Sequence, residues 1–282
     1  MKERYLENSI TYNCFKYDKM AFVAGPRQAG KTTLAKNLRK NFSKAKYFNW
    51  DDREFRKIWG KSLSVWLREN LNLNNKKSLI ILDEIHKAKL WKRDLKGIFD
   101  IFNKSLDIIV TGSARLNVYK KGSDSLLGRY FLYRLHPFSL GELTKNDSVQ
   151  PAELINSLRI KTKPSTKNRK ILEQLFEFGG FPEPYLNANK NFHRIWQRGR
   201  VEKVIREDLR DISRIPELSQ IEILVSLLPE TISSPLSVRA LSEDLEVAYT
   251  TVARWLKYLE QLYYCYTLKL FQKIRRSLKE RI

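Results

Sequence analysis

Eight consecutive residues, Gly25, Pro26, Arg27, Gln28, Ala29, Gly30, Lys31 and Thr32, carry the chemistry most easily read from this chain. Two glycines bracket the run, and a lysine and a threonine follow the second, with Thr33 next. This is the pattern of a loop that wraps phosphate groups in backbone N–H donors. Glycine supplies backbone angles that other residues avoid, so successive N–H groups can face a polyanion together. The lysine then meets the outer phosphates of a nucleotide, and the threonine hydroxyl is suited to ligate Mg²⁺. A second set lies at Leu79-Ile-Ile-Leu-Asp83-Glu84, where two carboxylates end an apolar run. Asp83 is the candidate Mg²⁺ holder, and Glu84 is the candidate base that polarises an attacking water.

These residues need a scaffold, and the flanking sequence describes one. Phe22-Val23-Ala24 is a short apolar strand before the loop, and Leu34, Ala35 and Leu38 mark a helix after it. Strand, glycine loop and helix form the setting the motif requires. The apolar run at Leu79 and a third at Asp107-Ile-Ile-Val-Thr-Gly-Ser113 read as strands buried on both faces of a parallel sheet. Ser113 and Thr111 are candidates to sense the γ-phosphate or the catalytic water. Ala45 to Trp50 and Tyr130 to Leu135 are further strands. Phe55 to Leu71 reads as one or two helices, and Trp91 to Phe102 as another. Residues 1–20 are expected to form a lead-in helix beside the sheet.

After Leu143 the pattern turns helical. Gln150-Pro-Ala-Glu is a helix start, and the helix at Ile171–Phe178 is expected to stop at Gly179-Gly180. Phe192 to Ile212 reads as a long basic helix whose interleaved acids equally suit a salt-bridged solvent face. Ile221–Leu228, Ser237–Leu245 and Tyr249–Tyr263 are three helices with helix-turn-helix spacing, followed by an expected wing strand at Tyr264–Phe271. In that docking mode the second helix of the pair enters the major groove. Its outward residues would be Thr250, Thr251, Arg254 and Lys257. The same module also serves as a protein-docking unit.

Composition narrows the class. The 282 residues carry a formal charge of +22, with an ordinary 42% hydrophobic content. Such an excess favours polyanions. Basic residues cluster at Lys36–Lys46, Arg159–Lys170 and Lys273–Arg281. No apolar run reaches the ~20 residues of a membrane span. Cys14 and Cys265 are isolated, with no metal or redox spacing. A cytoplasmic protein with no membrane partner is expected.

Several runs together resemble one family: Gly-Pro-Arg-Gln-Ala-Gly-Lys-Thr-Thr from Gly25, Leu-Asp-Glu-Ile-His from Leu82, Val-Thr-Gly-Ser-Ala-Arg from Val110, Gly-Arg-Tyr from Gly128, Leu-His-Pro-Phe-Ser-Leu-Gly-Glu from Leu135, and Gly-Gly-Phe-Pro-Glu-Pro-Tyr from Gly179. The family is a group of bacterial and archaeal AAA-type ATPases, similar in the core to origin-recognition ATPases. Its members carry a helical lid, a winged helix and a C-terminal nuclease-like domain of unknown function. The resemblance implies ATP and Mg²⁺ as cofactors and ATP hydrolysis as activity. It also implies an arginine, often from a neighbouring subunit, that stabilises the transition state. Arg129 is the preferred match and Arg115 the other, and the alternative for either is a plain pair with a carboxylate.

The expected organisation is an α/β P-loop core over 1–140, an all-α lid over 141–214, a winged helix-turn-helix over 215–275 and a basic tail over 276–282. Because the sequence ends at Ile282, it is expected to be short of the family's nuclease-like domain. DNA, a protein partner or self-association would be the target of the nucleotide state. Two rival readings remain: an ATP-gated switch with little turnover, and a DNA- or protein-binding module with a vestigial core.

Overall fold

The computed structural model describes residues 3–71, 77–112, 126–144, 165–209 and 218–268. It divides into two compact units, Met1–Lys203 and Val204–Ile282.

The first unit is built on five parallel strands. They are β1 (Met20–Ala24), β2 (Ala45–Asn49), β3 (Ser78–Asp83), β4 (Leu106–Thr111) and β5 (Tyr130–Arg134), in spatial order β2-β3-β4-β1-β5. Every pairing is parallel. The three inner strands are buried along their whole length, which is why their sequences are apolar without alternation. Alternation survives in which face each residue serves. Phe22, Ala24, Ile80 and Leu82 join one core with α3 (Arg53–Asn70) and α4 (Trp91–Phe102). Ala21, Val23, Leu79 and Ile81 join the opposite core with α1 (Leu6–Asn13) and α2 (Lys31–Leu38). Each fully buried leucine, isoleucine or phenylalanine stabilises this sandwich by about 1.5–3 kcal/mol relative to exposure.

The choice between one and two helices at Phe55–Leu71 resolves as a kink. Ser62 leaves helical geometry, with φ 174° and ψ 109°, so α3 is two helical pieces end to end. Beyond the sheet come α5 (Leu140–Thr144), α6 (Thr166–Phe178), α7 (Pro182–Asn187) and α8 (Lys190–Lys203). The expected stop after Phe178 is present. Gly179 adopts φ 69° and its N–H bonds the Leu175 carbonyl. The helix start expected at Gln150 lies outside the described residues.

The second unit opens with a π-helical turn, Val204–Leu209, which ends the expected long basic helix as a regular α-helix at Lys203. It continues with α9 (Leu218–Leu227), α10 (Val238–Asp244) and α11 (Tyr249–Gln261). Ser237 caps α10 by accepting from the Ala240 N–H at 3.1 Å. Leu241, Leu245, Val252, Trp255, Leu256 and Leu259 are buried, giving the pair its helix-turn-helix core. Tyr264–Leu268 carry no strand, and the rest of the expected wing strand lies outside the described residues. No described helix is long and apolar enough to cross a membrane.

Candidate nucleotide site

Parallel pairing puts the C-terminal ends of β1 and β3 at the same edge of the sheet, where open α/β folds gather ligands. The phosphate loop leaves β1 there. Gly25 has φ 155°, and a Cβ at that position would lie 2.2 Å from the Leu135 carbonyl oxygen. Only glycine fits that approach. Gln28 follows in left-handed geometry at φ 62°, as does Gly30 at φ 94°. Gly30 caps α2, whose N-terminus and dipole favour an anion. Pro26 and Ala29 are buried, Arg27 is half-buried and Gln28 is exposed. Lys31 is buried, and its ammonium donates to the carbonyls of Gly25 at 3.0 Å and Pro26 at 2.7 Å. Thr33 is half-buried on the first turn of α2.

Thr32 and Asp83 converge. The Thr32 hydroxyl donates to Asp83 Oδ2 at 2.8 Å, although the residues lie 51 positions apart. The same carboxylate accepts from the Tyr47 hydroxyl on Oδ2 at 2.8 Å and from Thr111 Oγ1 on Oδ1 at 2.5 Å. Burial, then its hydrogen bond to Asp83, drives the Tyr47 phenol well above its ordinary range. Tyr47 therefore stays a donor. One carboxylate and one hydroxyl make a hard-oxygen pair that suits Mg²⁺, which takes one or two carboxylates and fills its other positions with water and phosphate. Among the described residues no group of three or more His, Cys, Asp or Glu could hold a metal instead.

Glu84 takes left-handed backbone geometry at φ 57°, a sparsely populated region for glutamate. Its N–H is anchored on the Thr111 carbonyl at 2.9 Å. Burial first, and Asp83 second, raise its carboxyl pKa above the usual value, against the opposing pull of Lys87, Lys31 and Arg27. His86 Nε2 stands 3.5 Å from Glu84 Oε2. A carboxylate whose pKa is moved toward neutrality is better matched to taking a proton.

Thr111, one of the two candidate sensors, donates its hydroxyl to Asp83 in this structure. Ser113 and Arg115 lie outside the described residues. Arg129 is not brought to this edge. The register pairs Met20 with Tyr130, and the Met20 N–H bonds the Arg129 carbonyl. Arg129 thus sits at the opposite end of β1 from the loop, roughly 15 Å away at the usual strand rise. There it forms a two-pronged pair with Asp100 at 2.7 and 3.1 Å. Neighbouring motifs in sequence were separated by the length of a strand.

Two parts of the site had little sequence signal. Tyr47 looked like an ordinary aromatic in the middle of the expected strand, and nothing in its position marked it. Arg4 donates to the Ala29 carbonyl inside the loop at 2.6 Å and pairs with Glu142. No spacing connects these residues.

Residues 17–144 match the family model described as an AAA domain. The sheet-bearing core is thus similar to AAA domains. Residues 169–282 match a model described as a domain of unknown function (DUF8612). Two uncharacterized proteins of Methanocaldococcus jannaschii are similar to the chain. One is 24% identical over 268 residues, covering 90% of this chain and 57% of that protein. The other is 25% identical over 304 residues, covering 98% and 62%. The chain therefore spans about three fifths of the length of these relatives. Among solved structures, AMPPCP-bound DnaA from Aquifex aeolicus aligns at 15% identity and TM-score 0.37, covering 92% of this chain and 87% of that one. Orc1 from Aeropyrum pernix, in complex with DNA, aligns at 14% identity and TM-score 0.38, with coverages of 92% and 84%. The match to an AAA domain supports nucleotide binding.

In the second unit, Thr250, Arg254 and Lys257 are exposed on α11 and Thr251 is half-buried. Spacings of four and three place Thr250, Arg254 and Lys257 on one helix face.

Proposed function

We infer that this protein binds ATP with Mg²⁺ in its AAA domain and hydrolyses it, and that the nucleotide state governs contact with DNA or a protein partner. One observation carries the first part: the Thr32 hydroxyl meets the Asp83 carboxylate at 2.8 Å beside the phosphate loop, with Glu84 next in the chain. Gly25–Thr33 would bind the phosphates through backbone N–H groups, and Lys31 would leave the loop carbonyls for the outer phosphates. Thr32 and Asp83 would hold Mg²⁺, which supplies charge neutralisation on the phosphates. Tyr47 and Thr111 orient Asp83 for that task.

Glu84 takes the role of base. It would accept a proton from the attacking water and return it to the product phosphate. A contribution from Arg129 would come from a neighbouring copy, since its own chain holds it at the far end of β1. It would first have to leave Asp100.

The second part rests on the charge of +22 and on the exposed face of α11. We place DNA first among the targets, with Thr250, Thr251, Arg254 and Lys257 as contacts. The test is phosphate release from ATP at increasing DNA and protein concentrations, paired with DNA binding at two salt concentrations. Turnover that rises with either titrant supports a coupled ATPase. Binding of ATP without turnover supports a switch. DNA affinity that does not fall steeply with salt would remove DNA from the account, because phosphate contacts release counterions.

A further inference from the structure

Arg4 and Glu142 stand 138 positions apart, yet their side chains are only 4% and 3% exposed. Arg4 Nε donates to Glu142 Oε1 at 2.6 Å, and Nη2 donates to Oε2 at 3.3 Å. The other bonds go to backbone carbonyls. Nη1 donates to Ala29 in the phosphate loop at 2.6 Å, and Nη2 donates to His136 beyond β5 at 2.6 Å. Glu142 also accepts the Tyr5 N–H at 3.2 Å, and the Phe138 ring lies 4.7 Å from the guanidinium.

A buried ion pair is a weak stabiliser, because desolvation offsets most of its attraction. The distinctive contribution of this one is directional. Ala29 sits between Gln28 and Gly30, both in left-handed geometry. A planar trans peptide points its C=O and the next N–H in opposite directions. Fixing the Ala29 carbonyl on Arg4 therefore fixes the Gly30 N–H away from Arg4. A second connection starts from the same place. Phe138, against the guanidinium, donates its N–H to the Gly180 carbonyl at 2.6 Å. A Cβ on Gly180 would lie 2.4 Å from the Phe138 carbonyl oxygen, so this contact is backbone on backbone. A Cβ on Gly30 would meet both Arg4, at 3.2 Å, and Pro182, at 3.8 Å.

We propose that Arg4 is a positioning residue for the phosphate loop, and that the Arg4–Glu142 pair links the loop to the Gly179–Pro182 segment. This rests on the nucleotide-binding reading above. Arg4 presets the Gly30 N–H for phosphate, and phosphate on the loop in turn tightens the packing of Phe138 against Gly180. Glu142 holds the guanidinium in the one orientation that serves all its acceptors.

The test uses the full chain and a fluorescent ATP analogue. Arg4→Met with Glu142→Leu removes both charges together, so no buried charge is left unpaired, although the Ala29 and His136 carbonyls and the Tyr5 N–H lose these partners. Analogue affinity should fall about tenfold, as for loss of one charge-assisted hydrogen bond, while Tm moves by only a few degrees. Arg4→Lys keeps the charge but cannot reach three acceptors in a fork, and it should bind between the two. Hydrogen exchange at Ala29–Lys31 should quicken in both variants, and nucleotide should slow exchange at Gly179–Phe181 in the parent only. Parent affinity in the double variant overturns the proposal, as does parent affinity in Arg4→Lys should the double variant fail to fold. If the parent itself binds no analogue, the nucleotide reading fails separately. Exchange at Ala29–Lys31 then decides whether Arg4 positions the loop, with unchanged rates in Arg4→Lys overturning the proposal.

Discussion

Thr32 donates its hydroxyl to Asp83 Oδ2 at 2.8 Å, joining the phosphate loop to the end of β3 across the sheet edge. Tyr47 reaches the same oxygen from β2, and Thr111 reaches the other oxygen from β4. One carboxylate therefore collects donors from two neighbouring strands and a helix start. Its position is set before any ligand arrives.

That arrangement ranks two substitutions. Thr111 is fully buried, so Thr111→Val leaves Asp83 Oδ1 without its donor and should cost about 1–3 kcal/mol. Tyr47→Phe leaves Oδ2 still bonded to Thr32 and should cost only about 0.5–1.5 kcal/mol. Denaturant melts of both variants check the order. Equal or inverted losses would mean that Asp83 is not held as described.

Glu84→Gln should retain ATP affinity and lower turnover by about 10²–10⁴-fold, the usual reach of a positioned base. Burial raises the Glu84 pKa, so the acid limb of the parent rate profile should lie above the ordinary carboxylate range. The sign for stability follows. The folded chain binds this proton more tightly than the unfolded chain, so stability falls as pH rises between the unfolded and folded pKa values. Glu84→Gln should raise Tm at neutral pH, and that gain should disappear below the unfolded pKa. A Tm difference independent of pH would contradict the burial of this carboxylate.

Asp18 offers the opposite sign at the other end of the sheet. Hydrogen bonds from Lys104 and Lys77 hold its pKa at about 2. Its stabilising effect is present above the unfolded value near 3.8 and is lost as pH falls from there through about 2. Asp18→Asn keeps a residue tolerant of the local φ of 52°. Because Lys104 is 83% exposed, the cost at pH 7 should be only about 0.5–1 kcal/mol. Melts of parent and variant should converge near pH 2. A constant gap would contradict the pairing.

Much of the core was legible because buried parallel strands must be apolar along their length, as at Leu79–Leu82 and Ile108–Val110. The phosphate loop was legible because its chemistry sits within eight residues. The place of Arg129 was not legible from its motif. Its motif adjoins β5, but parallel register places it at the end of the sheet away from the loop. Arg4 gave no signal and Glu142 stood only as the end of the Leu135–Glu142 run, since only the closed fold pairs residues 138 positions apart. The Ser62 kink was equally hidden, because serine is compatible with helix and with extended backbone alike.

The most direct measurement is equilibrium titration of a fluorescent ATP analogue with Mg²⁺ into the parent chain and Lys31→Ala. The account predicts saturable one-to-one binding by the parent and a loss of roughly 10–100-fold in the variant, the worth of a charge-assisted phosphate contact. Parent-level binding by Lys31→Ala, or no saturable binding by the parent, would contradict it.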